Sequence, residues 1–286
     1  MTHRVAFLIT PAEFHNDNHE RLPGLFRDAG WLVDIASHED ACWQDQQVLL
    51  GSRPANDYEL VWPVGFGPRV GSIDRIQLLA QMDQSRLITA ASAYLTLHGK
   101  TAWLAYAPDT MVAQRSARLI EHLQTHGGDW VLKPVAGSFG RHVHRVSSAA
   151  HIEQVMAAAT DGYWMLQRYI PEITDGEIRT LICHGAIIGS YRRMPTNDLH
   201  ANLAADASAL PAVLSDANAD LVHRVHATLV QHKVGFAAID TVGGYLMEVN
   251  LANPGGLGSL SQFHGTLPEQ RLLDAIHSHL AALVRT

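Results

Sequence analysis

The chain has 286 residues and a formal net charge of −7 at pH 7, with 47% hydrophobic and 17% charged residues. These values predict an ordered globular protein of roughly two domains, or one large domain, and they exclude a disordered chain. No basic run is longer than the pair Arg192 and Arg193, so the sequence offers no footprint for a nucleic acid partner.

The first apolar run, VAFLIT, is shorter than the apolar core of a signal peptide, and no later stretch approaches membrane-spanning length. We therefore expect a cytoplasmic protein without a membrane partner. Cys42 and Cys183 have no paired spacing, which favours packed thiols over a disulfide or a zinc site. The close pairs among the eighteen histidines lack a carboxylate or cysteine at ligand spacing, which favours ordinary surface histidines over a metal site.

Strand-like and helix-like segments alternate over the first ninety residues. In chain order they are VAFLIT, NHERLPGLFRDAG, WLVDIAS, YELVWPV, SIDRIQLLAQM and LITA. This alternation predicts βαβ units on a parallel sheet, hence a Rossmann-like domain over residues 1–91. The turn after the first strand has no GxGxxG, so a dinucleotide site is not supported.

The pattern changes near residue 92. We predict a helix over Tyr94 to Tyr106 that carries Lys100, a helix over Ser116 to Thr125, and a helix near 148–159. Between the last two, WVLKPVAGSFGRHVHRV predicts a hairpin with Lys133 inside its first strand. A lysine before a glycine turn can place an ammonium and backbone N–H groups around phosphates. The alternative is a tight turn that merely needs positive φ.

The remainder predicts antiparallel sheet, so the fold class is α/β with an α+β C-terminal part. The expected elements are a strand in YWMLQRYI, the hairpins GEIRTLICHGAIIGSYRRM and GFAAIDTVGGYLMEVNLA, and a helix from Asp216 to Lys233. A last helix begins near Thr266, with Glu269 at capping-box spacing and Pro268 in its first turn.

Three polar residues in the second hairpin are candidates for a metal site. Asp240, Glu248 and Asn250 share one sheet face if a three-residue turn over Val242 to Gly244 joins the strands. Two carboxylates and an amide oxygen suit magnesium together with substrate phosphates. The alternative is a half-exposed sheet with polar residues facing water.

Taken in order, these motifs resemble the ATP-grasp superfamily, and most closely prokaryotic glutathione synthetase. The order is a lysine in HGKTAW, a lysine-proline strand with a glycine loop, QRYIPEITDGEIRT, YRRMP, NLAAD and D-x7-E-x-N, over residues 90–260. The resemblance implies an ATP-grasp fold with a Rossmann-like N-terminal domain (1–91), a small central domain (92–163) and a C-terminal domain with the magnesium site (164–286).

The resemblance also implies roles for individual residues. The ATP-contacting set comprises Lys100, Lys133, the loop residues Gly137, Ser138, Phe139 and Gly140, the hinge residues Gln167, Arg168, Tyr169 and Ile170, and Glu177. The catalytic contacts to phosphate and the acyl group are Arg179, Arg193 and Asn202, and the metal ligands are Asp240, Glu248 and Asn250.

The implied activity is an ATP-dependent carboxylate-amine ligase that forms an amide through an acylphosphate and releases ADP and phosphate. ATP and Mg2+ are the implied cofactors, with two ions expected and Mn2+ as an alternative. A small-molecule acid and amine are the implied substrates, and a homo-oligomer is consistent with the resemblance. Two alternatives stay open: a nucleotide-binding protein without turnover, and transfer of the acylphosphate to a non-amine acceptor.

Three departures from the family pattern bear on the substrates. Asp206 in NLAADA replaces a glycine, the preceding MPTNDLHA lacks the usual glycines and arginine, and WPVGFGPR replaces the acyl-substrate segment. In WPVGFGPR, Arg69 could bind a substrate carboxylate, or the segment is a crossover loop. NPGGLGS after Asn250 is either a pocket for the attacking amine or a flexible connection.

Overall fold

The computed structural model describes residues 2–10, 16–137, 142–158, 162–195 and 208–285. Ser138, Phe139, Gly140 and Asn202, which the resemblance implicates, lie outside the described residues, as does Asp206.

The strands, in chain order, are β1 (Arg4–Leu8), β2 (Leu32–Ala36), β3 (Ala41–Gln44), β4 (Gln47–Leu50), β5 (Arg53–Pro54), β6 (Leu60–Pro63), β7 (Thr110–Ala113), β8 (Trp130–Pro134), β9 (His144–Val146), β10 (Trp164–Arg168), β11 (Glu177–Cys183), β12 (Ala186–Met194), β13 (Ser208–Pro211), β14 (Phe236–Val242) and β15 (Tyr245–Asn250). The α-helices are α1 (Asn18–Asp28), α2 (Ser72–Leu79), α3 (Ala91–Leu97), α4 (Ser116–His126), α5 (Ala149–Ala157), α6 (Asp216–Gln231), α7 (Leu257–His264) and α8 (Leu267–Leu283). Short 3-10 helices cover His38–Asp40, Ala55–Asp57, Lys100–Tyr106 and Pro171–Asp175.

The N-terminal part contains the predicted parallel sheet. Its strand order is β2-β1-β6, and both pairs are parallel. β1 is buried almost along its whole length, as a central parallel strand requires. α1 covers the sheet through Leu22 and Phe26, and the Phe26 ring meets Phe7 edge to face at 5.4 Å between centroids. A small antiparallel sheet, β3-β4-β5, which the sequence pattern did not predict, lies between β2 and β6 in the chain.

The second sheet has the order β7-β10-β8-β9 and is antiparallel throughout. β8 and β9 form the predicted hairpin of residues 130–146, and α4 and α5 bury Leu119 and Ile152 in the core of this sheet. The predicted helix over Tyr94 to Tyr106 is wrong. α3 ends at Leu97 because the backbone becomes extended at Gly99, so Lys100 begins a 3-10 segment.

The third sheet has the order β13-β12-β11-β14-β15, is antiparallel, and carries most of the predicted site. The β11–β12 hairpin turns at His184 and Gly185, as predicted. The predicted three-residue turn between β14 and β15 is wrong. Val242 pairs with Tyr245, so Gly243 and Gly244 alone make the turn, with φ of 57° and 84°.

The last residues of NPGGLGS enter α7, which begins at Leu257. One expectation fails near the C-terminus. The capping box at Thr266 does not form: the Thr266 side chain makes no cap hydrogen bond, and the Glu269 carboxylate accepts from Arg21 and Ser261 instead. No helix within the described ranges combines the length and apolar character needed to cross a membrane.

Candidate active site

One face of the third sheet gathers the predicted charged residues. Arg179 lies opposite Asp240 between β11 and β14, and Asp240 lies opposite Glu248 between β14 and β15. With the two-residue turn alone, Asp240 and Glu248 would lie on opposite faces of the sheet. The register shift between Asp240 and Thr241 brings both side chains to the same face, as a three-residue turn would have done. Asn250 pairs with Ala238, two residues from Asp240, and therefore shares the face.

Asp240 is the centre of a buried ion network. Its side chain is 0% exposed, and Arg179 binds it with two parallel hydrogen bonds, Nε to Oδ1 at 2.8 Å and Nη2 to Oδ2 at 2.7 Å. Arg193 approaches Oδ2 with its Nη2 at 2.8 Å. Burial alone would raise the pKa of Asp240, but the two guanidinium groups outweigh it and hold the pKa at about 2. Asp240 is therefore ionised at neutral pH.

Glu177 extends the network on the next strand pair. It lies opposite Arg193, whose guanidinium contacts its carboxylate. Burial raises the pKa of Glu177 to about 7, although Arg193 opposes the shift. Two carboxylates thus share two arginines in a buried part of the sheet, an arrangement that is costly unless each group is paired.

Two lysines reach the same region from the central part of the chain. The Lys100 Nζ donates to Glu248 Oε1 at 2.8 Å and to the carbonyl oxygen of Gly137 at 2.7 Å. The Lys133 Nζ donates to Gln167 Oε1 at 2.9 Å. Burial, and then the nearby Lys100 ammonium, lower the pKa of Lys133 to about 8. Both ammonium groups stand where negative phosphate oxygens would relieve their repulsion.

The oxygen donors fit a magnesium site in part. Glu248 is half-buried and uses one oxygen for Lys100, while the Asn250 side chain makes no hydrogen bond within the described residues. Asp240 has both oxygens engaged by arginines, although a carboxylate has further lone pairs to offer. Among the described residues no three His, Cys, Asp or Glu side chains stand close enough to hold a metal ion. The protein's donors therefore suit a metal that is also bound by phosphates.

A small pocket lies beside these charges, between the second and third sheets. Its lining residues are Lys100, Trp103, Ala107, Met165, Gln167, Leu246, Met247 and Glu248. The apolar members resemble ordinary core residues in the sequence, so sequence reasoning missed them. The lining thus combines apolar side chains with the Lys100 ammonium, the Glu248 carboxylate and the Gln167 amide.

The hinge that follows β10 borders this pocket. The amides of Arg168 and Tyr169 already donate to carbonyl oxygens of Asp109 and Asp129. The Ile170 amide has no acceptor in the part of the chain that the structure describes. The Arg168 side chain turns away, since its guanidinium stacks on Trp130 at 3.9 Å. Of the backbone amides at positions 168 to 170, that of Ile170 is therefore the one available to a base within the described residues.

The structure thus brings most of the predicted site residues into one region, around β8, β10, β11, β12, β14 and β15. The residues in this region are Lys100, Lys133, Gly137, Gln167, Ile170, Glu177, Arg179, Arg193, Asp240, Glu248 and Asn250. Tyr169 borders it, with its ring under the Arg145 guanidinium at 4.2 Å. Arg69 of WPVGFGPR is exposed, and Arg75 instead holds that loop through the carbonyl oxygens of Phe66, Pro68 and Val70.

Comparison with known proteins gives a consistent family assignment. The profile of the ATP-grasp domain of prokaryotic glutathione synthetase matches residues 99–265. A glutathione synthetase from Pseudomonas aeruginosa is 31% identical over 270 residues, which are 90% of this chain and 81% of the relative. A glutathione synthetase from Salmonella typhimurium is 30% identical over 188 residues, and this chain spans only 59% of its length.

Solved structures agree on the fold. D-cycloserine synthetase DcsG superimposes with a TM-score of 0.67 at 17% identity, covering 96% of this chain and 99% of that one. D-alanine–D-alanine ligase from Bacillus anthracis, complexed with ATP, gives a TM-score of 0.61 at 15% identity and covers 99% and 98% of the two chains. The predicted ATP-grasp fold is therefore confirmed.

Proposed function

This chain belongs to the prokaryotic glutathione synthetase family of ATP-grasp proteins, and we propose that it is an ATP-dependent ligase that joins a carboxylate to an amine. The observation that carries the proposal is the shared face on which Arg179, Asp240 and Glu248 lie in direct cross-strand register. Lys100 approaches that face from the central part of the chain. The paired charges beside the small pocket support binding of a nucleoside triphosphate.

The proposed reaction has two steps. A substrate carboxylate attacks the γ-phosphate of ATP, which gives an acylphosphate and ADP. An amine then attacks the acyl carbon, the C–O bond to phosphate breaks, and inorganic phosphate leaves as the amide forms. Neither step needs a protein nucleophile, because positioning and charge neutralisation supply most of the rate enhancement in phosphoryl transfer.

The roles of the residues follow from their charge and position. Lys100 and Lys133 neutralise phosphate oxygens, and the pocket beside Met165 and Met247 takes the adenine. Arg179 and Arg193 each have N–H groups that do not bind Asp240 or Glu177. These N–H groups bind the transferred phosphoryl group in this proposal. Asp240 fixes both guanidinium planes, so they do not have to reorganise during the reaction.

Magnesium, held by Glu248, Asn250 and the free lone pairs of Asp240, would neutralise the phosphates in this proposal. The Lys100 ammonium, which donates to Glu248 Oε1 in the metal-free protein, would be available to a phosphate oxygen if that carboxylate held the metal. The number of ions, the use of Mn2+, the domain boundaries, the cytoplasmic location and a homo-oligomer stay predictions from the sequence.

The identities of the acid and the amine are not carried over from the relatives. The match to the Salmonella typhimurium enzyme spans 59% of that enzyme's length, and WPVGFGPR stands where the family's acyl-substrate segment is expected. γ-Glutamylcysteine is therefore one candidate acid among several.

The test is release of ADP and phosphate from magnesium-ATP across a panel of acids, each with and without amino acids and polyamines. We expect release that requires both an acid and an amine, and mass spectrometry should detect a new amide. Glu248→Ala should lower the rate by about 100-fold or more. Full turnover by Glu248→Ala, or ADP release that needs no acid, would contradict the proposal.

A further inference from the structure

His98 lies beside the proposed site but belongs to neither the predicted ATP-contacting set nor the predicted metal ligands. It follows Leu97, the last residue of α3, and precedes Gly99, where the backbone becomes extended. Its side chain makes no hydrogen bond within the described residues. Because His98 is exposed, a bound molecule can reach its ring nitrogens.

An aromatic cluster holds the His98 ring in place. Phe66 meets this ring edge to face, with 4.6 Å between the centroids and 85° between the planes. The same Phe66 ring meets Tyr94 at 5.4 Å and 82°. The Phe66 carbonyl oxygen accepts from Arg75 Nε at 3.2 Å and from Nη2 at 3.1 Å, which fixes the loop. Aromatic contacts orient the ring without using its nitrogens, so both nitrogens stay free to exchange protons.

Two charged groups of the proposed site lie near this ring. Partial burial lowers the pKa of His98, the Glu248 carboxylate raises it, and the Lys100 ammonium lowers it again. No further charged group of the described chain contributes to the shift, since Arg75 engages backbone carbonyl oxygens behind the Phe66 ring. The imidazole is therefore neutral at neutral pH and can accept a proton.

The loop that carries Phe66 connects two parts of the site. The amide of the preceding residue, Gly65, donates to the Ala252 carbonyl oxygen at 2.9 Å, so this loop lies against the segment after β15. The loop is also part of WPVGFGPR, which stands where the acyl-substrate segment is expected. His98 thus lies where this loop approaches Lys100, the proposed phosphate ligand, and acyl transfer takes place there in the proposed reaction.

We propose that His98 is the general base that takes a proton from the incoming amine. The inference rests on the proposed ligase function and adds a residue to it. Amino acids and polyamines carry ammonium groups at neutral pH, and an ammonium has no lone pair with which to attack an acyl carbon. A neutral imidazole beside the acylphosphate supplies the free amine where it is needed.

The protons and electrons of this step balance. One ring nitrogen of His98 accepts a proton from the ammonium, and the lone pair of the amine forms the C–N bond. The C–O bond to phosphate then breaks, and its electron pair leaves on the phosphate oxygen. The second proton of the nitrogen leaves with the phosphate, as hydrogen phosphate. His98 returns its own proton to solvent, which its exposed side chain permits.

The other titratable groups of this region are less suited to the task. The carboxylates are paired with cations, Glu177 and Asp240 with arginines and Glu248 with a lysine. Lys133 has a pKa of about 8, so it carries its own proton at neutral pH. Among the described residues of the site, His98 is thus the group that is neutral, exposed and free of hydrogen bonds.

Hydroxylamine as the nucleophile separates this role from all others. Hydroxylamine is largely unprotonated at neutral pH, so it converts an acylphosphate to a hydroxamate without a base. For each acid of the panel, ADP release is measured with hydroxylamine and with the amine that the panel identifies. We expect His98→Gln to lower kcat with the amine by about 100-fold or more, and kcat with hydroxylamine by less than about threefold. Equal losses with the two nucleophiles would overturn the proposal.

The pH dependence of kcat gives an independent readout. A general base has to be unprotonated, so wild-type kcat with the amine should fall as pH falls through the lowered pKa of His98. Above that pKa the wild-type rate should be level. The rate of His98→Gln should instead rise with pH until the amine itself loses its proton. Profiles of the same shape for the two proteins would exclude His98 as the base.

His122→Gln is the matched control. The His122 ring also meets an aromatic ring edge to face, that of Trp130 at 4.9 Å, but it lies on α4 and its charged neighbours are His126, Asp109 and Arg168. His122→Gln should keep the wild-type ratio of the rates with amine and hydroxylamine. A control that lowers this ratio as much as His98→Gln does would contradict the proposal.

Folding and function are also distinguishable. His98 is exposed, so His98→Gln and His98→Asn should change the Tm by less than about 2 °C. If wild type forms no hydroxamate with any acid, the proposed ligase function is contradicted. Hydroxamate formation by wild type, with an unchanged ratio of the two rates in both His98 variants, would contradict this inference alone.

Discussion

Two aspartates with similar neighbours occupy very different environments in this protein. Asp34, on the edge strand β2, contacts Arg4 at 3.1 Å and Arg53 at 3.5 Å and accepts from Tyr58, and it is 40% exposed. Asp240, inside the third sheet, contacts Arg179 and Arg193 and is 0% exposed. One aspartate thus belongs to a partly exposed cluster at a sheet edge, and the other to a buried network inside a sheet.

The two aspartates differ in how much their ion pairs depend on burial. At the edge strand, solvent screens the charges, so the pairs contribute little to stability. In the third sheet, burial removes that screening, and each charge depends on its partners. If the proposed ligase function is correct, arginines that are already oriented in a partly dry site would favour phosphoryl transfer, which would offset the cost of burying them.

Removing each aspartate in turn gives the largest expected effect. Asp240→Asn should lower the free energy of unfolding by about 3–5 kcal/mol, because the buried Arg179 guanidinium loses its carboxylate partner and Arg193 keeps only Glu177. Asp34→Asn should lower it by less than about 1 kcal/mol. Urea denaturation at pH 7 measures both. Equal losses for the two variants would show that burial does not distinguish these clusters.

Lys133 gives a test of nucleotide affinity. Lys133→Met should weaken ATP binding about 10- to 100-fold, because it removes an ammonium from the phosphate side of the site. Wild-type affinity should fall as pH rises through about 8, where the depressed pKa of Lys133 makes the ammonium lose its proton. Lys133→Met should lack this pH dependence, whereas the exposed control Lys233→Met should keep it. Calorimetry from pH 6.5 to 9 measures the ATP affinity of the three proteins. The same pH dependence in all of them would exclude a role of Lys133 in binding phosphate.

A smaller effect is expected at acid pH, where the contribution of Asp240 to the free energy of unfolding should decrease. The folded protein lowers the pKa of Asp240 from 3.8 to about 2, so this carboxylate stabilises the fold above the higher value and loses that contribution as pH falls toward the lower one. The stability cost of Asp240→Asn should therefore shrink by about 2 kcal/mol between pH 4 and pH 2. A constant difference between wild type and Asp240→Asn over this range would refute the linkage.

Much of the fold could be predicted from local patterns, and the failures have physical causes. The alternation of strand-like and helix-like segments that begins with VAFLIT was sufficient to predict the parallel sheet. A strand that is buried on both faces has a continuous apolar sequence, which is easily recognised. The three-residue turn was wrong because Gly243-Gly244 makes a two-residue turn and a register shift at Asp240 corrects the parity. The helix through Lys100 was wrong because the pattern carried no strong stop signal beyond Gly99.

The site itself was only partly visible in the sequence. Ordered motifs singled out Arg179, Asp240 and Glu248, but no spacing rule reports that β11 lies beside β14, so the Arg179–Asp240 pair needed the structure. Met165 and Leu246 belong to no recognisable motif, so only the structure shows that they line the pocket. The Glu269 cap failed because Arg21, far away in the chain, takes that carboxylate.

The central claim is that the charged face of the third sheet binds magnesium-ATP, and one titration tests it directly. ATP is titrated calorimetrically into wild type and Glu248→Gln, each with and without Mg2+. We expect Mg2+ to tighten ATP binding at least tenfold in wild type and much less in Glu248→Gln, while the two proteins bind ATP similarly without metal. An equal effect of Mg2+ on both proteins would contradict the account.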